Sequence, residues 1–143
     1  MARKHKKVMI FGTFDILHAG HFGLFEEAKK HGNFLCAVVA RDTNVEKIKK
    51  IKSFHDENQR KFFLEHIDFI DKAILGDKRD VYKAIKKEKP DVIVLGYDQV
   101  NFVDKLKTIL KEHSLKTKVV RAKAYRSNSF KTSKIKEYLN KMI

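Results

Sequence analysis

The sequence predicts an α/β fold: a single doubly wound, Rossmann-like domain with a parallel sheet of about five strands. Short apolar runs alternate with longer amphipathic segments about five times along the chain, which is the pattern of successive βαβ units. The apolar runs are continuous rather than alternating, as expected of strands buried on both faces. The length of 143 residues suits one hydrophobic core, so residues 1–143 are expected to form one domain.

The first half of the chain predicts two strands and two helices. The strands are Lys7–Phe11 and Phe34–Ala40, the helices are Gly20–His31 and Asp56–Ile67, and Arg41–Phe54 is a polar, lysine-rich loop with room for a short helix. Asp56 and Gln59 have the spacing of a capping box, in which each side chain bonds to the backbone of the other residue. This pair therefore predicts the start of the second helix.

The second half predicts three strands and three helices. The strands are Lys72–Leu75, Asp91–Leu95 and Thr117–Val120, and the helices are Val81–Lys89, Phe102–His113 and Thr132–Met142. With right-handed crossovers, the carboxyl ends of all strands meet at one edge of the sheet, where doubly wound folds bind ligands. Three polar segments follow predicted strands: Gly12–His21, Gly96–Gln99 and Ala124–Ser133.

Composition limits the class of protein. Apolar residues make up 43% of the chain and charged residues 35%, as in soluble globular proteins. No apolar run is long enough to cross a bilayer, and Val8–Phe11 is too short for the core of a signal peptide, so the expected location is the cytoplasm. The single cysteine, Cys36, is expected to be a small buried apolar residue. The net charge of +14 predicts attraction to anions, but it does not choose between nucleotides, nucleic acids and acidic membranes.

The strongest chemical signal follows the first predicted strand. Gly12 lets the chain turn and a ligand approach, and His18-Ala19-Gly20-His21 opens the next helix. Backbone N–H groups and the helix dipole at such a position bind phosphate. The two histidines can point to the same end, with Gly20 leaving room between them. The arrangement predicts a cationic or hydrogen-bonding cradle for a triphosphate; a zinc site would need ligands that the segment lacks.

The segment Gly12–His21 resembles the G-T-F-D-x-x-H-x-G-H motif of the cytidylyltransferase-like nucleotidyltransferase superfamily. Further segments fall where motifs of that superfamily fall: Val39–Asp42, Glu57–Arg60, Val94–Gln99 and Lys131–Ile135. Two branches are similar, the glycerol-3-phosphate cytidylyltransferases and the archaeal-type FAD synthases. Asp68–Asp71 lacks an arginine that the first branch carries, and Lys131–Lys136 also departs from that branch, so both stretches resemble the FAD synthases.

The resemblance implies a reaction without a covalent enzyme intermediate, in which an acceptor phosphate oxygen attacks the α-phosphorus and pyrophosphate leaves. Catalysis then depends on positioning and on charge stabilisation, with His18 and His21 as the catalytic residues. The predicted nucleotide-binding residues are Thr13, Phe14, His18, Ala19, Gly20, His21, Asp98, Tyr125, Arg126, Thr132 and Ser133. The basic run of Lys47, Lys49, Lys50 and Lys52 could grip the acceptor phosphate, with Lys47 and Lys49 as the favoured candidates and Arg60 as a weaker one. A divalent cation, Mg²⁺, is expected to neutralise the leaving group, with Asp15 as a possible ligand.

The most favoured function is transfer of AMP from ATP to FMN, and the alternative within the same chemistry is a CTP-dependent glycerol-3-phosphate cytidylyltransferase. FMN needs an apolar slot for its ring, which aromatic residues of the predicted loops would supply: Phe54, Tyr97, Phe102 and Tyr125. Exposed phenylalanines would permit a homodimer. A basic nucleic-acid-binding module is the alternative of another class. It rests on the charge of +14, without a recognisable binding motif.

Overall fold

The structure, a computed structural model of the chain, describes residues 5–100, 103–123 and 132–142. Five strands form one parallel sheet: β1 Lys7–Gly12, β2 Phe34–Val39, β3 Lys72–Leu75, β4 Val92–Leu95 and β5 Lys118–Arg121. Six helices lie between and after them in the described residues: α1 Ala19–Lys29, α2 Asp42–Lys49, α3 Glu57–Glu65, α4 Lys83–Glu88, α5 Val103–Glu112 and α6 Thr132–Met142. The predicted doubly wound α/β fold is confirmed.

The strand order β3-β2-β1-β4-β5 contains one change of direction, between β1 and β4. Lys7 pairs with Phe34 and Gly12 with Val39, so β1 and β2 end together. On the other side of β1, Val8 pairs with Val92 of β4. The loops that follow β1 and β4 therefore leave the sheet side by side at its carboxyl edge, where such folds bind ligands.

The two faces of the sheet have separate cores. Val8 and Ile10 of β1 face one side and pack with Phe25 of α1 and Leu64 of α3. The opposite core contains Met9, Cys36, Val38, Ala84, Ile85, Ile93, Leu95, Leu106 and Leu110, and so brings α4 and α5 against the sheet. Because a strand presents successive side chains to opposite faces, the continuous apolar runs of the sequence supply both cores.

Cys36 lies fully buried in the second core, as its apolar surroundings in the sequence predict. Burial, with the nearby Glu88 carboxylate, raises the pKa of its thiol to about 11. The thiol is therefore protonated at neutral pH and acts as a small apolar side chain. Within the described part of the chain, no helix combines the length and the apolar character needed to span a membrane.

The predicted capping box is present at the start of α3. The Asp56 carboxylate accepts a hydrogen bond from the Gln59 backbone N–H at 2.8 Å, and the Gln59 amide oxygen accepts one from Asp56 N–H at 3.1 Å. Three boundaries differ from the prediction by two residues: α1 ends at Lys29 rather than His31, α3 ends at Glu65 rather than Ile67, and α4 begins at Lys83 rather than Val81.

The polar stretch after β2 forms more helix than the sequence predicts. Helix α2 spans eight residues, and only Val45 among them is buried. It ends where Lys50 adopts a left-handed conformation with φ of 64° and donates its backbone N–H to Glu46 O at 2.8 Å. With one buried residue in two turns, the segment has too little apolar periodicity to predict its length.

Candidate functional site

A cavity of about 350 Å³ opens at the carboxyl edge of the sheet. This volume is in the range of small-molecule sites. The loop after β1, the start of α1, the segment after α2, the loop after β4, the end of β5 and helix α6 all contribute to its walls. The lining residues are Thr13, Phe14, Asp15, His18, Gly20, His21, Leu24, Val45, Lys49, Ile51, Lys52, Ser53, Gly96, Tyr97, Asp98, Ala122, Lys123, Ser133 and Lys136.

The loop after β1 is shaped by Phe14. This residue has a φ of 54°, which is unusual for a bulky side chain, and its ring is only 4% exposed. The ring lies 5.9 Å from Phe25 and 5.7 Å from His21, centroid to centroid. A Cβ at Gly12 would approach this ring to 2.8 Å. Gly12 is thus needed for the ring of Phe14 rather than for a left-handed turn, since no described glycine has a positive φ.

His18 and His21 cap helix α1 reciprocally. His18 is the N-cap residue, in an extended conformation, and its Nδ1 accepts a hydrogen bond from Gly20 N–H at 3.1 Å. His21 Nδ1 accepts one from His18 N–H at 3.3 Å. The two rings lie 4.0 Å apart, centroid to centroid, and both line the cavity. Each Nδ1 accepts, so in the neutral ring the proton is on Nε2 and is available to a ligand.

Both histidines have a pKa below that of a histidine exposed to water. Burial, with the positive charges of His18 and Lys49, lowers the pKa of His21 to about 3. Burial also lowers the pKa of His18 from its usual 6.5. The site therefore presents neutral imidazoles that donate from Nε2 at neutral pH, and the lysines around it carry the positive charge.

Asp15 joins three parts of the site. Its carboxylate is almost fully buried and accepts hydrogen bonds from Phe54 N–H at 2.8 Å, His55 N–H at 2.9 Å and Lys136 Nζ at 3.0 Å. Burial favours the neutral acid, but these bonds to His55, Phe54 and Lys136 outweigh it and lower the pKa of Asp15. Asp15 thus fixes the segment after α2 and helix α6 to the loop after β1.

The Arg60 side chain lies in the protein interior and does not line the cavity. It is fully buried, and it donates to Thr13 O at 2.7 Å, His55 O at 3.1 Å and Asp42 Oδ1 at 2.6 Å. The interpretation of Arg60 as an acceptor-phosphate ligand is therefore wrong, because each nitrogen of the guanidinium already bonds to the protein and none reaches the cavity surface. Arg60 holds the backbone on both sides of the Asp15 carboxylate.

The loop after β4 is held at two points. Gln99 accepts from Gly96 N–H at 3.1 Å and donates to Phe11 O at 3.4 Å, which links the ends of β4 and β1. Arg121, the last residue of β5, donates from Nη1 to Gly96 O at 2.9 Å and to Gln99 O at 2.8 Å. Asp98, a predicted nucleotide-binding residue, is exposed on this fixed loop and lines the cavity.

Four lysines line the cavity: Lys49, Lys52, Lys123 and Lys136. Partial desolvation of the Lys49 ammonium, followed by repulsion from Lys136, lowers the pKa of Lys49 from its usual 10.5. Lys47, the other predicted acceptor-phosphate ligand, lines a separate surface hollow with Thr43, Asn44, Glu46 and Lys78.

Several cavity residues were not predicted. Lys136 lies one turn beyond Ser133 in α6, and that spacing could have indicated it. Lys52, by contrast, belongs to the basic run predicted to meet the acceptor phosphate, and it lines the cavity. Leu24 and Ala122 line the cavity beyond the histidines, but a sequence gives no sign of this.

The remaining predicted residues divide into three groups. Thr13, Phe14, Gly20 and Ser133 line the cavity, whereas Ala19 begins α1 beside it. Tyr125 and Arg126 lie outside the described residues, and so does Phe102. Thr132 is the first residue of α6, but its side chain is not among those described.

Metal ligands are not clustered in the part of the chain that the structure describes: no group of three or more His, Cys, Asp or Glu side chains could hold an ion. Asp15, the possible ligand, has both carboxylate oxygens engaged by backbone N–H groups and Lys136. A cation at this site would therefore depend mainly on ligands brought by a substrate.

Comparison with known proteins agrees with this geometry. The family described as cytidylyltransferase-like matches residues 9–138. An FAD synthase of Ferroglobus placidus is 47% identical over 119 residues, which cover 83% of this chain and 77% of the relative. An FAD synthase of Archaeoglobus fulgidus is 48% identical over 113 residues, covering 79% of this chain and 81% of the relative.

Solved structures give the same fold. A lipopolysaccharide core biosynthesis protein from Thermoplasma volcanium superposes with a TM-score of 0.80 at 37% identity, covering 85% of this chain and 99% of that protein. A pantoate-beta-alanine ligase from Francisella tularensis, solved in complex with beta-gamma ATP and beta-alanine, has a TM-score of 0.65 at 16% identity and covers 96% of this chain and 67% of that protein. The second likeness concerns the fold alone.

Proposed function

Since this chain belongs to the cytidylyltransferase-like family, we propose that it transfers the AMP of ATP to the phosphate of FMN, forming FAD and pyrophosphate. It is an enzyme of the nucleotidyltransferase class, and its similarity to several FAD synthases supports FMN as the acceptor. The observation that carries the proposal is the pair of histidines that cap α1 and line the cavity, because they offer two Nε2–H donors beside a helix N-terminus.

The reaction needs a phosphate oxygen of FMN to attack the α-phosphorus of ATP as the bond to the β-phosphate oxygen breaks. We assign the triphosphate to His18, His21 and the first turn of α1, where fixed donors can stabilise the charge that develops on the phosphate oxygens. Because both imidazoles are neutral, they contribute hydrogen bonds, and Lys49 and Lys136 supply the charge. Asp98, on the loop held by Arg121, is assigned to the ribose.

The two substrates would occupy opposite ends of the cavity. The loops after β4 and β5 leave the sheet on one side of β1, and the segment after α2 follows β2, which lies on the other side of β1. We assign the nucleotide to the change of strand order, between the loops after β1 and β4. FMN therefore enters from the β2 side, and its phosphate meets Lys49 and Lys52 close to the histidines.

A divalent cation, Mg²⁺, completes the proposal. It would neutralise the pyrophosphate leaving group. Mg²⁺ in such sites keeps several waters and binds mainly to substrate phosphates. This mode of binding suits a cavity whose described residues offer no cluster of protein ligands.

The proposal is tested by incubating the protein with ATP or CTP, each with FMN, riboflavin or glycerol 3-phosphate, with and without Mg²⁺. Chromatography identifies the product and pyrophosphate release gives the rate. FAD is expected only with ATP, FMN and Mg²⁺ together, because riboflavin lacks the attacking phosphate. A product from CTP and glycerol 3-phosphate would assign the chain to the cytidylyltransferase alternative, and pyrophosphate release from no pair would refute the proposed class.

We also propose a cytoplasmic homodimer. A strip of aromatic rings runs along the surface of α3: Phe54 and Phe62 are 76% and 56% exposed, and His55, Phe63 and His66 contact them at ring distances of 4.4 to 6.2 Å. A contiguous exposed apolar surface is typical of an interface. Light scattering of the wild type and of Phe62→Ser tests the dimer; a monomeric wild-type protein would refute it.

A further inference from the structure

Residues 51–53, here named the lip, form one edge of the cavity. Ile51, Lys52 and Ser53 all line it. The lip is fixed at both ends. Before it, Lys50 closes helix α2 with a hydrogen bond of 2.8 Å to Glu46 O; after it, the Phe54 N–H is bound by the buried Asp15 carboxylate at 2.8 Å. A segment of three residues between two such anchors is a defined surface rather than a free loop.

Ile51 stands out within the lip. Its side chain is 59% exposed although it lies over the cavity. Its neighbours in the lip are a cation and a hydroxyl, so the lip presents one apolar group beside a positive charge. Ile48, one turn earlier in α2, is exposed to a similar 55% but does not line the cavity.

The proposed function puts the acceptor on the β2 side of the cavity, and the lip lies on that side because it follows β2 and α2, whereas the loops after β4 and β5 lie on the other side of β1. An acceptor there must present a phosphate to the lysines. Glycerol 3-phosphate has only hydroxyl groups beyond its phosphate and gains nothing from an apolar side chain. FMN carries a large aromatic ring, whose burial against an aliphatic group is favourable.

We propose that Ile51 is a specificity-determining residue that packs against the isoalloxazine ring of FMN. The inference rests on the proposed function and extends it from the reacting phosphate to the rest of the acceptor. Lys52 meets the phosphate side of the same molecule, so the lip selects acceptors that combine a phosphate with a flat apolar ring.

The test compares three variants: Ile51→Ala, Ile51→Leu and the matched control Ile48→Ala. Steady-state rates of FAD formation give KM for FMN and for ATP, and quenching of FMN fluorescence on titration with protein gives flavin affinity without turnover. Loss of three carbons from an apolar contact predicts a KM for FMN, and a flavin Kd, that rise about tenfold in Ile51→Ala. KM for ATP and kcat should stay within about twofold of wild type, Ile51→Leu should restore most of the affinity, and Ile48→Ala should behave as wild type.

Different results overturn different statements. An unchanged KM and Kd for FMN in Ile51→Ala would refute the role of Ile51, and so would an equal rise in KM for ATP. An effect of the same size in Ile48→Ala would attribute the change to α2 as a whole and refute the contact. If wild-type protein forms no FAD from any nucleotide, the proposed function fails, and the fluorescence titration of the same variants still decides whether Ile51 contacts flavin.

Discussion

Replacement of His18 by asparagine should separate the two roles of this side chain. Nδ1 of His18 accepts the Gly20 N–H at 3.1 Å and so caps α1, which leaves Nε2–H of this cavity-lining ring to donate to a ligand. Asparagine can accept the same hydrogen bond through its side-chain oxygen and is among the best N-cap residues, but it does not reach the Nε2 position. His18→Ala removes both functions. Loss of a donor aimed at the transition state is worth about 2.7 to 4 kcal/mol, or about a hundredfold to a thousandfold in kcat.

We therefore expect both variants to lose at least about a hundredfold in kcat. Only His18→Ala should lose stability, by about 1 kcal/mol in the free energy of unfolding. Pyrophosphate release from ATP and FMN measures kcat, and urea denaturation measures stability. His21→Asn should resemble His18→Asn in rate. If His18→Asn keeps more than about a tenth of wild-type kcat, donation from Nε2 does not drive the reaction. If His18→Asn is as unstable as His18→Ala, the capping assignment fails.

Three further predictions follow from buried polar groups. Arg60→Met should lower the free energy of unfolding by about 2 to 4 kcal/mol, because the carbonyls of Thr13 and His55 lose their buried donor. Lys61→Met, which removes a surface pair, should change it by less than about 1 kcal/mol, and equal effects would contradict the prediction. The pKa of Asp15 in the folded protein lies below its usual 3.8, so the ionised carboxylate stabilises the fold above pH 3.8 and this stabilisation is lost as the pH falls through the folded pKa. Asp15→Asn should therefore reduce the loss of stability in acid. An unchanged pH dependence of the free energy of unfolding would argue against this role of Asp15. The pKa of His21 is about 3 in the folded protein against 6.5 in the unfolded chain, so the unfolded chain binds more protons between these values and the free energy of unfolding should rise with pH there. NMR should show a neutral His21 ring protonated on Nε2 at pH 5. Titration of this ring near pH 6.5 would refute the prediction.

Local patterns allowed much of the site to be predicted. The glycine after β1 and the paired histidines at the start of α1 lie within ten residues of each other, so their meeting depends on one turn and one helix. The loops after β4 and β5 could be placed beside them because parallel strands share their carboxyl edge. The capping box of α3 is likewise a property of four consecutive residues.

Contacts between distant segments were not predictable in the same way. Arg60 looks like an ordinary cation on a polar helix, and its burial depends on Asp42 and on the Thr13 carbonyl, 47 residues away in sequence. Lys136 reaches Asp15 across 121 residues. Hydrophobic periodicity carries no information about such pairings, because it identifies which face of an element is buried and not which polar group meets it. For the same reason Lys47 and Lys49 looked equivalent, although only Lys49 lines the cavity.

The fit between Gly12 and Phe14 restricts how this sequence can change over evolutionary time. A methyl group at position 12 would come within 2.8 Å of the Phe14 ring, and that ring is enclosed by Phe25 and lies against His21. Any larger residue at position 12 is therefore accessible only after position 14 has become smaller, yet a smaller residue at 14 first leaves a void beside the His21 imidazole. A larger residue at position 12 alone, or a smaller residue at position 14 alone, is expected to be harmful, whereas the two substitutions together are expected to be less harmful. The two positions should drift together or not at all, and their order of substitution, rather than either residue alone, determines which descendants remain active.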